Sequence, residues 1–346
     1  MKVDERVDIK ENRILDLSKE ILEILLIDRT TGKNIIWATD NYKKNGKGYN
    51  VKDKITVEKI TGYNGNVIKP RTKKSKAEQM HRTKDKAEVF TPSWICNNMN
   101  NLVDDSRLYK SAFNESSKEG KWKSNKNKIK FKKTYTWQDY VKENVLEITC
   151  GEAPYLVSRY DTVTGDILDI KDRIGLLDRK LRVVNENIDN PKKNKKKWLE
   201  WVKESYKHTY GYEWQGDSLL IARENLLYTF IDYYEMVYKK QPSNDELYEI
   251  AEIISWNIWQ MDGLKGVVPY SCKQEKKTKV KTLFDFMGGD NQKKERIKEQ
   301  VVRCKGCESK DVLSGINKHN GIYCKIMDWD ENKVIKFVEL LENVER

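Results

Sequence analysis

Residues 145–161 read VLEITCGEAPYLVSRYD, and the fold class turns on them. The apolar pair Val145 and Leu146 leads to an acid, Glu147. A tight Cys150-Gly151 turn follows, and then an amphipathic run. This is the pattern of a strand, a glycine turn and a helix N-terminus. Such a junction lets backbone N–H groups meet an anionic or nucleotide-like ligand. The expectation is an α/β chain whose binding site lies where this strand ends.

Working outward, residues 13–27 (RILDLSKEILEILLI) carry Ile and Leu at helical spacing, whereas NIIWATD (34–40) and KITVEKI (54–60) read as strands. Together they predict a small α+β element over residues 1–80. Residues 179–206 are helical in pattern, and Pro191 predicts two helices joined by a basic turn. From Asp217, placed as an N-cap, a long helix carries Leu220, Arg223, Leu227, Phe230, Ile231 and Tyr234 on one stripe. A further helix follows Pro242, capped by Ser243 or Asn244. Its stripe of Leu247, Ile250 and Ile254 is open to extension through Ile258 and Met261, which would put Asp262 in a last helical turn. IYCKIMDWD then reads as a strand and NKVIKFVELLENVE as a closing helix.

The chain has 346 residues, 35% of them charged, and a formal net charge of +12. Ten tryptophans and 10% aromatic residues argue against wholesale disorder. The positive balance suits a polyanionic partner, most simply nucleic acid; a lysine-rich solvated surface is the other reading. Two basic runs stand out, at 69–86 and at 118–133. The second has Trp122 and Phe131 among its lysines, suiting either stacking on bases or a solvated insertion. No apolar run is long enough to span a bilayer, and no secretory signal is evident at the N-terminus. Six cysteines in 346 residues are too sparse for a disulfide framework, which points to reduced thiols in a cytoplasm.

Four segments carry chemistry in a fixed order. AEVFTPSWICNNM (87–99) contains Phe90-Thr91-Pro92, with the proline opening a helix. LEITCGEAPYL (146–156) holds the glycine turn. YGYEWQGDSLLIARENLLYTF (210–230) has a strand ending in Glu213, followed by a helix carrying Ala222, Asn225 and Leu226. NIWQMDGL (257–264) brings a second acid, Asp262. In this order the segments resemble the S-adenosylmethionine-dependent N6-adenine DNA methyltransferases of restriction-modification systems. The resemblance implies a Rossmann-like class I methyltransferase sheet with helical insertions. The resemblance covers a cofactor-binding domain over 81–292, which leaves the α+β accessory element over 1–80 and a C-terminal element over 293–346, read below as zinc-binding. It further implies that S-adenosylmethionine is held by Phe90, Thr91, Glu147, Cys150, Gly151, Glu213 and Asp262. Glu213 would accept the ribose hydroxyls, and Asp262 would face the adenine amine. DNA, and a partner subunit of a restriction-modification or defence system, are the implied partners.

The chain departs from the family pattern at three points. Ala153 stands where a second glycine is usual, and its Cβ narrows the turn or changes it. Glu147-Ile148 replaces Asp-Pro. No N-P-P-aromatic loop is present; LFDFMGGDN (283–291) stands in its place, with Asp290 or Asn291 as the candidate acceptor for the target amine. The alternative is therefore a catalytically deficient module of the same fold that needs a partner subunit. VVPYSC (267–272) has the makings of a Pro-Cys nucleophile loop, but Pro269 and Cys272 are separated, and Cys272 is read as a structural cysteine.

The tail carries Cys304-x2-Cys307-x11-His319-x4-Cys324. A C-x2-C knuckle followed by His and Cys donors fits one tetrahedral zinc. Four protein donors would leave no position for water, so the zinc would be structural.

Overall fold

A computed structural model describes residues 6–86, 88–117, 120–132, 134–277, 300–302, 304–309 and 315–342. Their contacts divide into two compact units. The first comprises residues 1–260 and 325–335, and the second comprises residues 261–324 and 336–346.

The first unit begins with helices α1 (Glu11–Leu17) and α2 (Lys19–Leu26), parted at Ser18, whose hydroxyl accepts the Glu20 N–H and caps α2. A two-residue hairpin follows, β1 (Ile27–Asp28) against β2 (Lys33–Asn34). Here the expected strands differ. Residues 34–40 contribute only the end of β2 and an isolated bridge between Ile36 and Lys54, and residues 57–60 form a short helix, α3 (Val57–Ile60). The segment is spent instead on other partners: Gln260 clasps the Ile36 N–H and C=O through its amide, at 2.9 and 2.8 Å. The apolar residues of 1–80 join one continuous core with those of the long helices.

Helices α4 (Lys76–Lys86) and α5 (Ser93–Asp105) come next. The hairpin β3 (Asn114–Ser116) with β4 (Trp122–Ser124) and helix α6 (Trp137–Lys142) follow. The aromatic residues of the second basic run pack inward. Trp122 donates to the Asp172 carbonyl at 2.9 Å, and Phe131 lies against Tyr135 and Tyr140.

The centre of this unit is a parallel three-stranded sheet: β5 (Val145–Glu147), β6 (Thr209–Glu213) and β7 (Ile258–Gln260), in that spatial order. Helices α7 (Leu176–Asn187) and α8 (Lys195–Lys207) form the first crossover, broken near Pro191 as expected. Helices α9 (Gly216–Tyr238) and α10 (Asn244–Asn257) form the second. Strands covered on both faces read as buried runs, and β6 is buried at every position except Tyr210. Ser243 and Glu246 form a reciprocal capping box at the start of α10. That helix ends at Asn257 and the chain becomes a strand, so the extended helical stripe through Met261 does not form.

Arg223 of α9 is fully buried and spreads its guanidinium over four carbonyls: Leu25, Ile27, Ser255 and Ile258. Its planar fork fits a ring of helix and strand ends that would otherwise lack donors. The expected N-cap at Asp217 is corrected. Gln215 takes that place, and Asp217 is a buried anion bonded to Arg82 at 2.8 Å and to the Tyr42 hydroxyl at 2.7 Å. Arg82 lies 135 residues upstream, where no local pattern reveals it.

The hairpin β8 (Lys325–Asp328) and β9 (Lys333–Lys336) closes this unit. Trp329 donates to the Asn257 side chain at 2.8 Å. Residues 333–336, expected at the start of a helix, form this strand; the helix, Phe337–Glu342, begins only afterwards. In the second unit, Glu275–Lys277 pairs with Gln300–Val302. Among the described residues no helix is long and apolar enough to cross a membrane.

Candidate functional site

At the end of β5 the backbone makes a tight reversal. The Cys150 N–H reaches the Tyr212 carbonyl at 2.8 Å, and the Ala153 N–H closes back on the Cys150 carbonyl at 2.7 Å. Thr149, Gly151 and Ala153 all have left-handed φ, at 46°, 55° and 63°. Only glycine adopts this region without a steric penalty; for the other two residues it costs about 1 kcal/mol or more each.

The expected helix does not start here. Residues 151–169 run as turns and a bridge between Tyr160 and Ile167, and α7 begins only at Leu176. Left-handed Ala153 breaks the helical path. The backbone groups that a helix would have satisfied are taken by side chains instead. Glu147 accepts the Tyr155 and Leu156 N–H groups at 3.3 and 3.2 Å. The Ser158 hydroxyl accepts those of Ile174 and Gly175, at 2.7 and 3.2 Å. The Ala153 substitution noted in the sequence thus coincides with a changed turn, and no helix starts from the glycine turn itself.

Glu213, at the tip of β6, faces this turn. Its carboxylate accepts the Gly151 N–H at 2.9 Å and the Gln215 N–H at 3.0 Å. Phe90 lies beside Gly151, where a Cβ would come within 3.5 Å of the ring, and the Arg71 guanidinium sits 5.4 Å above that ring. The Thr91 carbonyl receives the Thr162 hydroxyl, and the Ser93 N–H at the start of α5 donates to Asp161. Phe90, Thr91, Glu147, Cys150, Gly151 and Glu213 are therefore gathered around one loop. Burial raises the carboxyl of Glu147 to about 8 and also lifts those of Glu213 and Glu152. Burial likewise drives the Cys150 thiol far up, which keeps it protonated and unreactive.

Glu152, which the sequence reading passed over, and Asn225 complete the turn. Glu152, almost fully buried, accepts the Arg71 N–H at 2.6 Å and the Tyr160 hydroxyl at 2.7 Å. Asn225 of α9 donates to the Glu152 carbonyl at 3.1 Å, which gives the asparagine of the A-x-x-N-L pattern a structural task. The acid beside the glycine was the available signal. Asp262 belongs to the second unit, where it accepts the Leu264 N–H and pairs with Lys265 at 3.0 Å, organising the turn 262–266. Asp290 and Asn291 lie outside the described residues.

The second unit holds a candidate metal centre. Cys272, Cys304, Cys307 and His319 bring their ligand atoms within 4.8 Å of one another. His319 Nδ1 is 3.5 Å from the Cys304 sulfur and 3.7 Å from those of Cys272 and Cys307. Tetrahedral zinc, with Zn–S about 2.3 Å and Zn–N about 2.0 Å, sets each S···N edge at about 3.6 Å. Four donors at these spacings can hold a metal ion such as zinc. The knuckle has no room for a side chain at Gly306: a Cβ there would sit 2.6 Å from His319 Nδ1. Burial lowers the His319 pKa, which keeps the ring neutral and able to donate a lone pair. Burial works to raise the Cys304 thiol, but the Asn320, Cys307 and Gly306 N–H groups overcome it and lower its pKa.

The fourth donor is Cys272, which corrects the expectation for Cys324. Residues 267–273 run beside 319–323: Val267 bridges Tyr323, Val268 N–H meets the Ile322 carbonyl, and Lys273 N–H meets the Asn320 side chain. That pairing delivers Cys272 to His319. Cys324 is fully buried, its N–H bonded to the Gly266 carbonyl and its carbonyl receiving the Phe337 N–H. Spacing in the tail cannot reveal a donor that arrives from an earlier segment of the chain.

No protein-family model matches this sequence, and no curated protein or solved structure matches it either.

Proposed function

We propose that the chain is an S-adenosylmethionine-dependent DNA adenine-N6 methyltransferase, or the modification subunit of such a system, with a half Rossmann-like sheet and a structural zinc. The observation that carries the reading is the meeting, at the carboxyl ends of parallel β5 and β6, of a glycine turn and a strand-tip acid. In open parallel sheets this is where ligands bind. The residues fit the ribose and methionine ends of the cofactor. Gly151 presents backbone without a side chain, and Phe90 covers the turn. Glu213 can accept further hydrogen bonds, since a carboxylate has about four acceptor positions. When bound, the cofactor supplies an electrophilic methyl group; the turn and Glu213 hold and orient it. The net charge of +12 supports a nucleic-acid substrate.

A second reading, a cofactor- or DNA-binding module that needs a partner for transfer, is favoured by one specific observation. No helix starts at the glycine turn, so the N-terminus that the resemblance places directly after Gly151 is not there.

Calorimetric titration of S-adenosylmethionine, run beside transfer of labelled methyl to DNA, tests both. Binding that weakens about tenfold or more in Glu213→Gln, the size expected for a hydrogen bond to a charged group, supports the pocket. Transfer supports the enzyme, and binding without transfer supports the module. Absence of cofactor binding sinks the enzyme and the cofactor-binding form of the module.

A further inference from the structure

A cleft of about 680 Å³ lies within the first unit, between the C-terminal half of α9 and the loop 167–173. Nothing in the methyl-transfer reading uses it. Its lining holds five cationic residues against three acidic ones. The floor is two buried arginines, Arg159 and Arg173, whose side chains are 3% and 6% exposed. Both reach the same oxygen of Asp232, at 3.1 and 2.5 Å, so that carboxylate is already engaged. Arg173 Nη1 is buried and makes no hydrogen bond. Asp178 Oδ1 lies 3.8 Å from it and also lacks a donor. A buried guanidinium N–H without an acceptor is destabilising, and an acceptor that reached it would relieve that cost. Arg6, Lys171 and Lys239 line the rim as exposed cations, and Ile167, Ile170 and Met236 supply apolar wall.

A positive rim, an orphan guanidinium donor and an apolar side together match a ligand with an anionic end and a flat, weakly polar body. The volume is that of a small-molecule site. We propose that this cleft binds a nucleotide through its phosphate, with the phosphate among Arg6, Lys171, Lys239 and Arg173 and the base against Ile167, Ile170 and Met236. Guanidinium groups suit phosphate because their paired N–H groups match its oxygens. The nucleotide is either free or part of a single strand, and the recognition chemistry is the same. The proposal does not depend on methyl transfer, since it uses none of the residues around Gly151.

The test is calorimetry on the full chain with adenosine monophosphate, adenosine and a short single-stranded oligothymidylate. The expected result is binding of the monophosphate, with adenosine about tenfold weaker, because the phosphate carries much of the affinity. The double variant Lys171→Glu/Lys239→Glu, both positions exposed, should melt like the parent and bind about tenfold more weakly. Arg173→Lys, which keeps the charge but loses the fork, should weaken binding in the same direction. Tighter binding of the oligothymidylate, also weakened in the double variant, assigns the phosphate to a nucleic-acid strand; binding of the monophosphate alone assigns it to a free nucleotide. The proposal is overturned if no phosphate probe binds, if adenosine binds as well as its monophosphate, or if the double variant binds undiminished.

Discussion

The glycine turn of the first unit and the Cys/His cluster of the second are both tight loops rich in polar atoms, yet they arrange those atoms in opposite ways. In the turn, each carboxylate is matched to backbone donors: Glu147 to Tyr155 and Leu156, Glu213 to Gly151 and Gln215, Glu152 to Arg71. The loop is self-satisfied and keeps its shape without help. In the cluster, four lone-pair donors converge on a common point, and three of them become mutually repelling anions once deprotonated. A turn of the first kind tolerates an empty site. A cluster of the second kind would be held together by an ion bound among its donors.

The largest effect that would break this contrast lies in the cluster. Cys272→Ser should abolish retention of about one metal ion per chain, read by elemental analysis, whereas Cys324→Ser should keep the metal. Binding energies of structural zinc are on the order of 10 kcal/mol, so the Cys272 variant should lose the structure of its unit. Equal metal content in both variants would remove Cys272 from the site.

An intermediate effect is expected in the first unit, where the support is an ion pair between side chains. Asp217→Ala would leave Arg82 and Lys74 buried without their shared carboxylate. Breaking such a pair costs about 3–5 kcal/mol, measurable by urea denaturation. Burial would raise the Asp217 carboxyl, but Arg82 and Lys74 overcome it and hold it far below its usual range. This contribution is thus full above pH about 4 and lost only in strong acid.

The smallest effect sharpens the account of the turn itself. Glu147 is raised to about 8 by burial, against about 4.3 in an unfolded chain. A raised carboxyl binds its proton more tightly when folded, so its stabilising contribution is complete below pH 4.3 and declines as pH rises toward 8. Glu147→Gln stays neutral and should flatten that decline. The difference in melting temperature between variant and parent should grow by roughly 2 °C or more from pH 5 to pH 8. A difference independent of pH would show that the carboxyl does not titrate in this window.

What was legible in the sequence follows from the range of the forces involved. Helices α9 and α10, the break at Pro191 and the Ser243 cap are local matters of periodicity and hydrogen-bonding side chains, and they stand where the pattern put them. The strand at 145–147 is marked by Val145 and Leu146 before an acid, and the strand at 209–213 by the acid that ends it, whereas 258–260 cannot be told from a helix because Ile258 continues the stripe of Leu247, Ile250 and Ile254. The helix expected after Gly151 failed because Ala153 takes a left-handed conformation that its side chain gives no reason to expect. The choice of Cys272 over Cys324, and the use of Asp217 as a buried anion rather than a cap, both depend on partners far away in the chain. Trp122 and Phe131 look like stacking platforms among lysines until Asp172, Tyr135 and Tyr140 are seen beside them.

The four carbonyls gathered by Arg223 also bear on how the chain is made. Leu25 leaves the ribosome 198 residues before the arginine that receives it, and Ser255 and Ile258 emerge later still. The ends of the first helices cannot settle into their final places until most of the first unit has been synthesised. The N-terminal helices must wait in a partly formed state, and a truncated product ending before residue 223 would expose the apolar face meant for the finished core. One side chain thus turns a continuous act of synthesis into a single late commitment.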